Sequence, residues 1–310
     1  SQRFMSVSVS TFNIEGQNVD GTPTTVTVRL ADRQGNPVIN GTVVNFTAGG
    51  GQIPGSCATV IDSSGHSSCS VQWISQNFRP TNGRVAIVAY AAGTKDYTDN
   101  DFSNSYTGVD TLYEMGDIYR DDNESGSYDL GEFRIDLVGI NTSIVPNVRN
   151  ASYLTSVAAV NAGLNAWAFP TCATAGEPYP SVVDTCTGTL PTLTRQQVIV
   201  MNSSSTPVLS SVVVSNHSTV SFNMSSFDNI NLPMPAGTTV AASIINSVGL
   251  TCVVKVVAPA SVPNIFPGTN PAAIIFSSHT ISTTGCAAGD VVGITVTSPG
   301  QRATLFSQTL

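Results

Sequence analysis

Residues 22–46 read TPTTVTVRLADRQGNPVINGTVVNF, and their period-two alternation decides the fold class. Val26, Val28 and Leu30 fall on one face, and Thr25, Thr27 and Arg29 on the other. That is the pattern of an antiparallel strand with one buried side. DRQGNP at 32–37 follows as a turn, rich in the residues that accept turn dihedrals. The alternation returns in SCSVQWIS (68–75), where Cys69, Val71 and Trp73 share a face opposite Ser70 and Gln72. Further turn signals stand at AGGGQIPG (48–55), DSSGH (62–66) and PTNG (80–83). Short strands at this spacing predict a β-sandwich of about a hundred residues, with Trp73 in its core.

The whole chain has 310 residues, which allows two or three domains. It is 41% hydrophobic, mostly Val and Ala in short runs, so there is material for real cores. Only 10% of residues are charged and the net charge is −8, with no Lys/Arg cluster to neutralise phosphates. No nucleic-acid partner is expected. No apolar run reaches membrane-spanning length, and the N-terminal SQRFMSVSVS does not read as a signal peptide. Six cysteines fall as three neighbouring pairs: Cys57 with Cys69, Cys172 with Cys186, and Cys252 with Cys286. None has Cys-x-x-Cys spacing, and His66, His217 and His279 do not complete a zinc site. An even count on a Ser/Thr-rich, Lys-poor chain predicts three disulfides between neighbours and an oxidising, extracellular compartment.

The run VTVRLADRQGNPVINGTVVNFTAGGGQI, then ATVIDSSGHSSCSVQW, then GRVAIVAYAAG resembles the bacterial immunoglobulin-like repeats of intimin- and invasin-type surface proteins. The resemblance covers about residues 5–107, and its markers are D-x-x-GNPV, then G-x-x-V-x-F, then D-x-x-G-x-x before a strand. It implies an Ig-like sandwich at the bacterial surface. It leaves the role open, because such domains act as stalks, spacers and binding tips alike.

Alternation resumes near residue 195 with QQVIVMNSS, SSVVVSNHSTVSFNM, TTVAASIIN and TCVVKVVAP. NLPMPAGTTVAASI parallels QGNPVINGTVVNFTA, and so resembles a second, more divergent Ig-like domain. Between the two lies a less regular segment with Pro146, Pro170, Pro178, Pro180, Pro191 and the Cys172–Cys186 loop. Within it, 155–169 carries Val157, Val160, Leu164 and Trp167 near helical spacing. The expected architecture is all-β: a sandwich at 1–108, an acidic junction at 109–135, an irregular elaboration at 136–194, and a second sandwich at 195–310.

DDNESGSYDLGE at 121–132 concentrates charge in a chain that has little. Asp121, Asn123, Ser125, Ser127, Asp129 and Glu132 fall at positions 1, 3, 5, 7, 9 and 12, with Gly126 at position 6. That is the spacing of an EF-hand calcium loop: calcium takes six to eight hard oxygens, and alternate residues of a tight loop point inward. Ser127 would offer its carbonyl and Glu132 both carboxylate oxygens. The flanks TLYEMGDIYR and FRIDLVGI read as extended, not as the helices of an EF-hand pair. Asp110, Glu114 and Asp117, just upstream, are candidates for further ligands or for a second site.

No nucleophile–base motif or phosphate loop is present; His66 beside serines, and His217 with Asp228, read as polar turns. Asn-x-Ser/Thr sequons, among them Asn40, Asn45, Asn141, Asn150, Asn202, Asn216 and Asn223, reflect composition. Trp167 and the 136–194 segment leave a sugar-binding reading open. The expected function is a non-catalytic, calcium-rigidified adhesin-type surface protein. A glycan- or protein-binding tip, or a filament subunit partnered by copies of itself or other surface domains, are the alternatives. Non-reducing peptide mapping should recover the linkages 57–69, 172–186 and 252–286, with no free thiol.

Overall fold

The computed structural model describes residues 1–135, 137, 189–228, 231–248 and 251–310. Among them every extended element is a β-strand, and the strands build two sandwiches. The helical pattern at 155–169, Trp167 and the Cys172–Cys186 pair lie outside the described residues.

In the first unit, β1 (Met5–Val9), β3 (Pro23–Leu30), β7 (Ser67–Ile74) and β6 (Val60–Ile61) form one sheet in that order. β3 buries Thr24, Val26, Val28 and Leu30 and leaves the residues between them more exposed, as the opening stretch predicts. β7 buries Ser67, Cys69, Val71 and Trp73 on its inward face. Trp73 is fully buried and donates its indole N–H to the Gly50 carbonyl at 2.8 Å. This explains the glycine run AGGGQ. At Gly51 φ is +66°, and a Cβ there would sit 2.2 Å from the Trp73 ring.

The facing sheet contains β2 (Asn13–Glu15), β4 (Val43–Ala48), β5 (Ser56–Ala58) and β8 (Arg84–Thr94). Its remaining strand comes from far along the chain. β13 (Pro191–Ser203) lies between β2 and β8, parallel to the former and antiparallel to the latter. Val198 and Val200 of β13 join Val85, Ile87 and Ala89 of β8 in the core. The domain boundary expected at residue 195 is therefore displaced: the strand rich in Val and Ile after the elaboration completes the first sandwich. Alternation marks a strand but not the sheet that receives it.

β8 also departs from period two, burying Arg84 to Ala89 consecutively. Its outward residues are covered by the chain that follows it. That chain forms two short antiparallel pairs, β9 (Tyr97–Thr98) with β10 (Thr111–Leu112), and β11 (Ile118–Tyr119) with β12 (Arg134–Ile135). The acidic segment is thus an insertion between two neighbouring strands of one sheet, not a linker between sandwiches.

The second unit packs the sheet β14 (Pro207–Ser215), β15 (Thr219–Ser226), β18 (Ser277–Thr284), β17 (Val253–Ala258) against β16 (Thr239–Asn246), β19 (Val291–Thr297), β20 (Ala303–Thr309). Its core gathers Val220, Phe222, Met224, Val240, Ile281, Val292, Ile294 and Val296. Cys57–Cys69 bridges β5 to β7 across the first sandwich, and Cys252–Cys286 ties the adjoining ends of β17 and β18. Closing the longer of these loops stabilises the fold by roughly 3–4 kcal/mol on chain-entropy grounds.

Residues 204–206 alone connect β13 to β14. Asn13 bonds across the seam with both backbone and side chain. Its carbonyl accepts from Ala236 N (2.8 Å), its Nδ2 donates to the Met234 and Pro263 carbonyls (2.8 and 3.1 Å), and its Oδ1 accepts from Ile265 N (2.9 Å). Glu15, buried beside it, accepts from the Ser205 and Ser298 hydroxyls at 2.6 and 2.7 Å. A fragment ending at residue 190 should fail to fold, because it lacks a central strand. One ending at 206 should give a cooperative thermal transition by circular dichroism.

Candidate metal centre

The predicted loop 121–132 is closed at its base by the β11–β12 pair, which brings its ends together. Asp121 Oδ1 accepts from Ser125 N (2.9 Å) and its Oδ2 from Gly126 N (2.8 Å). Asn123 Oδ1 also accepts from Ser125 N at 2.9 Å. Glu132, at the far end, reaches back: Oε1 accepts from Asp122 N (2.8 Å) and Oε2 from Asp129 N (3.0 Å). Asp129 Oδ2 accepts from Asn123 Nδ2 (2.8 Å) and the Ser125 hydroxyl (2.7 Å), and that hydroxyl lies 2.9 Å from the Ser127 carbonyl. All six predicted residues therefore belong to one connected ring of oxygens and donors. Gly126 has φ +79°, a conformation in which a Cβ carries a penalty of about 1–2 kcal/mol.

The same arrangement occurs one segment earlier, in DNDFSNSYTGVD at 99–110. β9 and β10 close that loop. Ser103 N donates to Asp99 Oδ1 and Asp101 Oδ1, both at 3.1 Å, and Asn104 N to Asp99 Oδ2 at 2.8 Å. Asp110 accepts from Asn100 N (2.9 Å) and Thr107 N (2.6 Å), as Glu132 accepts from Asp122 and Asp129. Position 4 has positive φ in both loops (Phe102 +56°, Glu124 +58°), and so does position 6 (Asn104 +60°, Gly126 +79°). Tyr97 packs edge-on against Tyr106, and Tyr119 against Tyr128, at matching places. The two loops are a tandem repeat, 99 corresponding to 121.

Sequence reading missed Asp99, Asp101, Ser103 and Ser105 and assigned Asp110 only loosely. The glycine expected at position 6 is Asn104, which tolerates the left-handed region through its short polar side chain. The legible signal was Tyr-x-Asp followed by Ser-Tyr, recurring at 97–106 and 119–128. Carboxylate oxygens of Asp99, Asp101 and Asp110 lie within 4.8 Å of one another, a closer gathering of acids than the 121–132 loop achieves. There, Asn123 replaces the acid at position 3.

Charge pairing separates these acids from their neighbours. Glu114 binds Lys95 at 2.5 Å, Asp117 binds Arg134, Asp122 binds Arg120 at 2.6 Å, and Glu124 binds Arg84 at 2.5 Å. Glu114 and Asp117, expected as extra ligands, are thus counter-ions of structural cations; Asp117 also accepts from Leu137 N at 2.8 Å. Among the described residues, none of Asp99, Asp101, Asp110, Asp121, Asp129 and Glu132 forms an ion pair with Lys or Arg. The acids at ligand positions are the ones without protein cations, and their hard oxygens suit calcium.

The module is seated on the first sandwich. Arg120 Nη1 reaches the Thr47 hydroxyl at 2.5 Å, Gln197 exchanges hydrogen bonds with the Asp121 backbone, and Arg195 Nη2 donates to the Gly116 carbonyl at 2.6 Å. Met115, Ile118 and Tyr119 are buried in the seat. Elsewhere, His279 is sealed in the second core, its ring between the Ser277 hydroxyl and the Pro259 carbonyl and stacked on Phe222. Burial holds its pKa below the usual histidine value. His66 sits exposed near Asp62 in a turn, as its sequence suggests.

No protein-family model matches the chain, and no curated protein sequence does. Solved structures do show a weak similarity. One of them is that of the Yersinia pseudotuberculosis adhesin InvE, 12% identical, with a TM-score of 0.25 over the full length of this chain. The chain spans 59% of the length of that adhesin.

Burial first, and the neighbouring charge of Glu124 for Asp121 and of Asp121 for Glu132, push both carboxyls above their ordinary values of 3.8 and 4.5. Hydrogen bonds from Asn123 and Ser125 hold Asp129 below its ordinary value. In chelator, the two raised groups lower stability as pH rises from the ordinary carboxylate range through their folded values, because the unfolded chain ionises first. Asp129 acts in the opposite sense, and its contribution is lost as pH falls through its folded value. Carboxyl-carbon NMR titration should show Asp121 and Glu132 titrating above those ordinary values and Asp129 below.

Proposed function

We propose that the chain is a non-catalytic, extracellular adhesin-type segment of a bacterial surface protein, stiffened by calcium held in its inserted double loop. The observation that carries this reading is the lack of Lys or Arg partners at the six acids of two equivalent loops, when Glu114, Asp117, Asp122 and Glu124 beside them each have one. Asp121, Asn123, Ser125, Asp129 and Glu132 would supply side-chain oxygens and Ser127 a carbonyl. In the earlier loop Asp99, Asp101, Ser103, Asp110 and the Ser105 carbonyl take the same places.

Calcium would replace carboxylate repulsion with attraction at both loops and so hold the module on the sheet face. The two sandwiches, their disulfides and the near-direct β13–β14 connection suit projection rather than catalysis. Most of the elaboration invoked for a receptor-binding tip, residues 138–188, falls outside the described residues, so that reading gains no support from the geometry.

Exposed single loops of extracellular modules bind calcium in the range of roughly 0.1–1 mM. At free calcium tenfold above the dissociation constant, each site adds about 1.4 kcal/mol of stability by mass action. Calorimetric titration should therefore give two sites, and thermal melts should rise with calcium and fall with chelator. Asp99→Ala with Asp110→Ala, or Asp121→Ala with Glu132→Ala, should each remove one site. Affinity at 121–132 should weaken as pH falls through the raised folded values of the Asp121 and Glu132 carboxyls, because protons compete there. Melts indifferent to calcium, with no heat of binding, would show the loops to be solvated turns.

A further inference from the structure

Arg84, the first residue of β8, is where the 121–132 loop meets the second unit. Its side chain is 1% exposed. Nε and Nη2 form a two-pronged pair with Oε1 and Oε2 of Glu124, at 2.5 and 2.7 Å. On its other side Nη1 donates to the Pro267 carbonyl at 3.1 Å, and Nη2 lies 3.5 Å from the Gly268 carbonyl. Those carbonyls belong to the long connection between β17 and β18, residues 259–276.

The same connection is docked on the first unit further along. Asn264 Oδ1 accepts from Phe12 N at 2.8 Å, Ile265 N donates to Asn13 Oδ1, and Phe266 packs edge-on against Phe12. One buried guanidinium therefore binds the acidic loop of one unit and the docked backbone of the other.

Glu124 occupies position 4, outside the alternating ligand set, and its carboxylate is committed to Arg84. The companion loop is a built-in control. Its position 4 has the same positive φ but is Phe102, which is 88% exposed. The loop backbone thus takes this shape without a docked partner, and Glu124 uses it to reach Arg84. A buried cation deprived of its anion is strongly disfavoured. Any opening of the 121–132 loop that withdraws Glu124 leaves Arg84 with neutral carbonyls alone, and the 267–268 contact weakens with it.

We propose that Arg84 couples ion occupancy of the 121–132 loop to docking of the 259–276 connection, so that calcium at this loop, and not at 99–110, sets how firmly the two sandwiches are held. The proposal rests on the calcium reading above. By linkage the coupling is reciprocal: the docked second unit raises calcium affinity at 121–132.

The test uses the full chain and calcium itself. Calorimetry first establishes whether the parent binds calcium at 121–132, with Asp121→Ala as the reference. Amide hydrogen exchange of the 259–276 connection, above all at Ile265, is then compared with calcium and with chelator. In the parent, calcium should slow exchange there. Glu124→Gln removes the charge but no ligand. It should still bind calcium, with affinity reduced roughly fivefold or more, and its connection should no longer respond. Asp99→Ala should leave the response of the connection intact.

Should Glu124→Gln fail to fold, Arg84→Lys serves. It keeps the charge but loses the fork, and loss of the calcium response supports the coupling while its retention overturns it. A parent that binds calcium at 121–132 without any change in exchange at the connection overturns the coupling alone. So does a Glu124→Gln protein with unchanged affinity and response. A parent that binds no calcium there removes the functional reading and the coupling together.

Discussion

The outer face of the five-stranded sheet must be covered, and much of the structure follows from that requirement. β8 and β13 point Ala86, Val88 and Met201 away from the sandwich core, with Arg84, Arg195 and Gln197 among them. Left to water, this face would expose an apolar patch of the kind that invites association. The inserted segment covers it with Met115, Ile118 and Tyr119 and satisfies its polar groups: Arg84 by Glu124, Arg195 by the Gly116 carbonyl, Gln197 by the Asp121 backbone. The acidic loops thus have a seat fixed by burial, and their approach to the rest of the molecule follows from it.

That coverage explains how this chain uses its few charges. With 12 basic residues against 20 acidic ones, three cations are nonetheless turned inward. Lys95, Arg84 and Arg195 are fully buried, the first two against Glu114 and Glu124. A buried cation without a partner would be costly, so acids are drawn to these positions. What remains is an excess of carboxylate that the fold gathers at Asp99, Asp101 and Asp110 and in the 121–132 ring. Burial, with neighbouring charge beside it, then raises the Asp121 and Glu132 carboxyls above their ordinary values.

Local pattern carried the strands well. Val26, Val28, Leu30, Cys69, Val71 and Trp73 all face inward as their alternation requires, and Cys57–Cys69 and Cys252–Cys286 join sequence neighbours. Two things were not legible for a physical reason. QQVIVMNSS reads as a strand, but its pairing with β8 is non-local and leaves no periodic trace, so the boundary was set too early. The loop at 99–110 was hidden by Asn104 in the place of glycine, a substitution the backbone accepts and a composition rule does not. The 121–132 loop kept its glycine, Gly126, and its spacing was legible.

Beside the Phe12–Phe266 contact, the seam between the sandwiches carries a cluster of polar bonds, and this decides what kind of joint it can be. Apolar surfaces in contact can slide with little change in energy, because the hydrophobic effect is non-directional. Asn13 and Glu15 instead make short, directed bonds to Met234, Ala236, Ile265, Ser298 and Ser205. Rotation of one unit would break several of these at once inside a region water does not reach, leaving buried donors and acceptors unpaired. β2, which carries both residues, is itself held in parallel register to β13, so the seam and the 204–206 connection are anchored on adjacent strands of one sheet. A pull applied through the second unit is therefore shared between the covalent connection and the hydrogen-bonded latch beside it. Arg84 adds a third attachment at the 267–268 backbone, and it alone of the three is tied to an acidic loop.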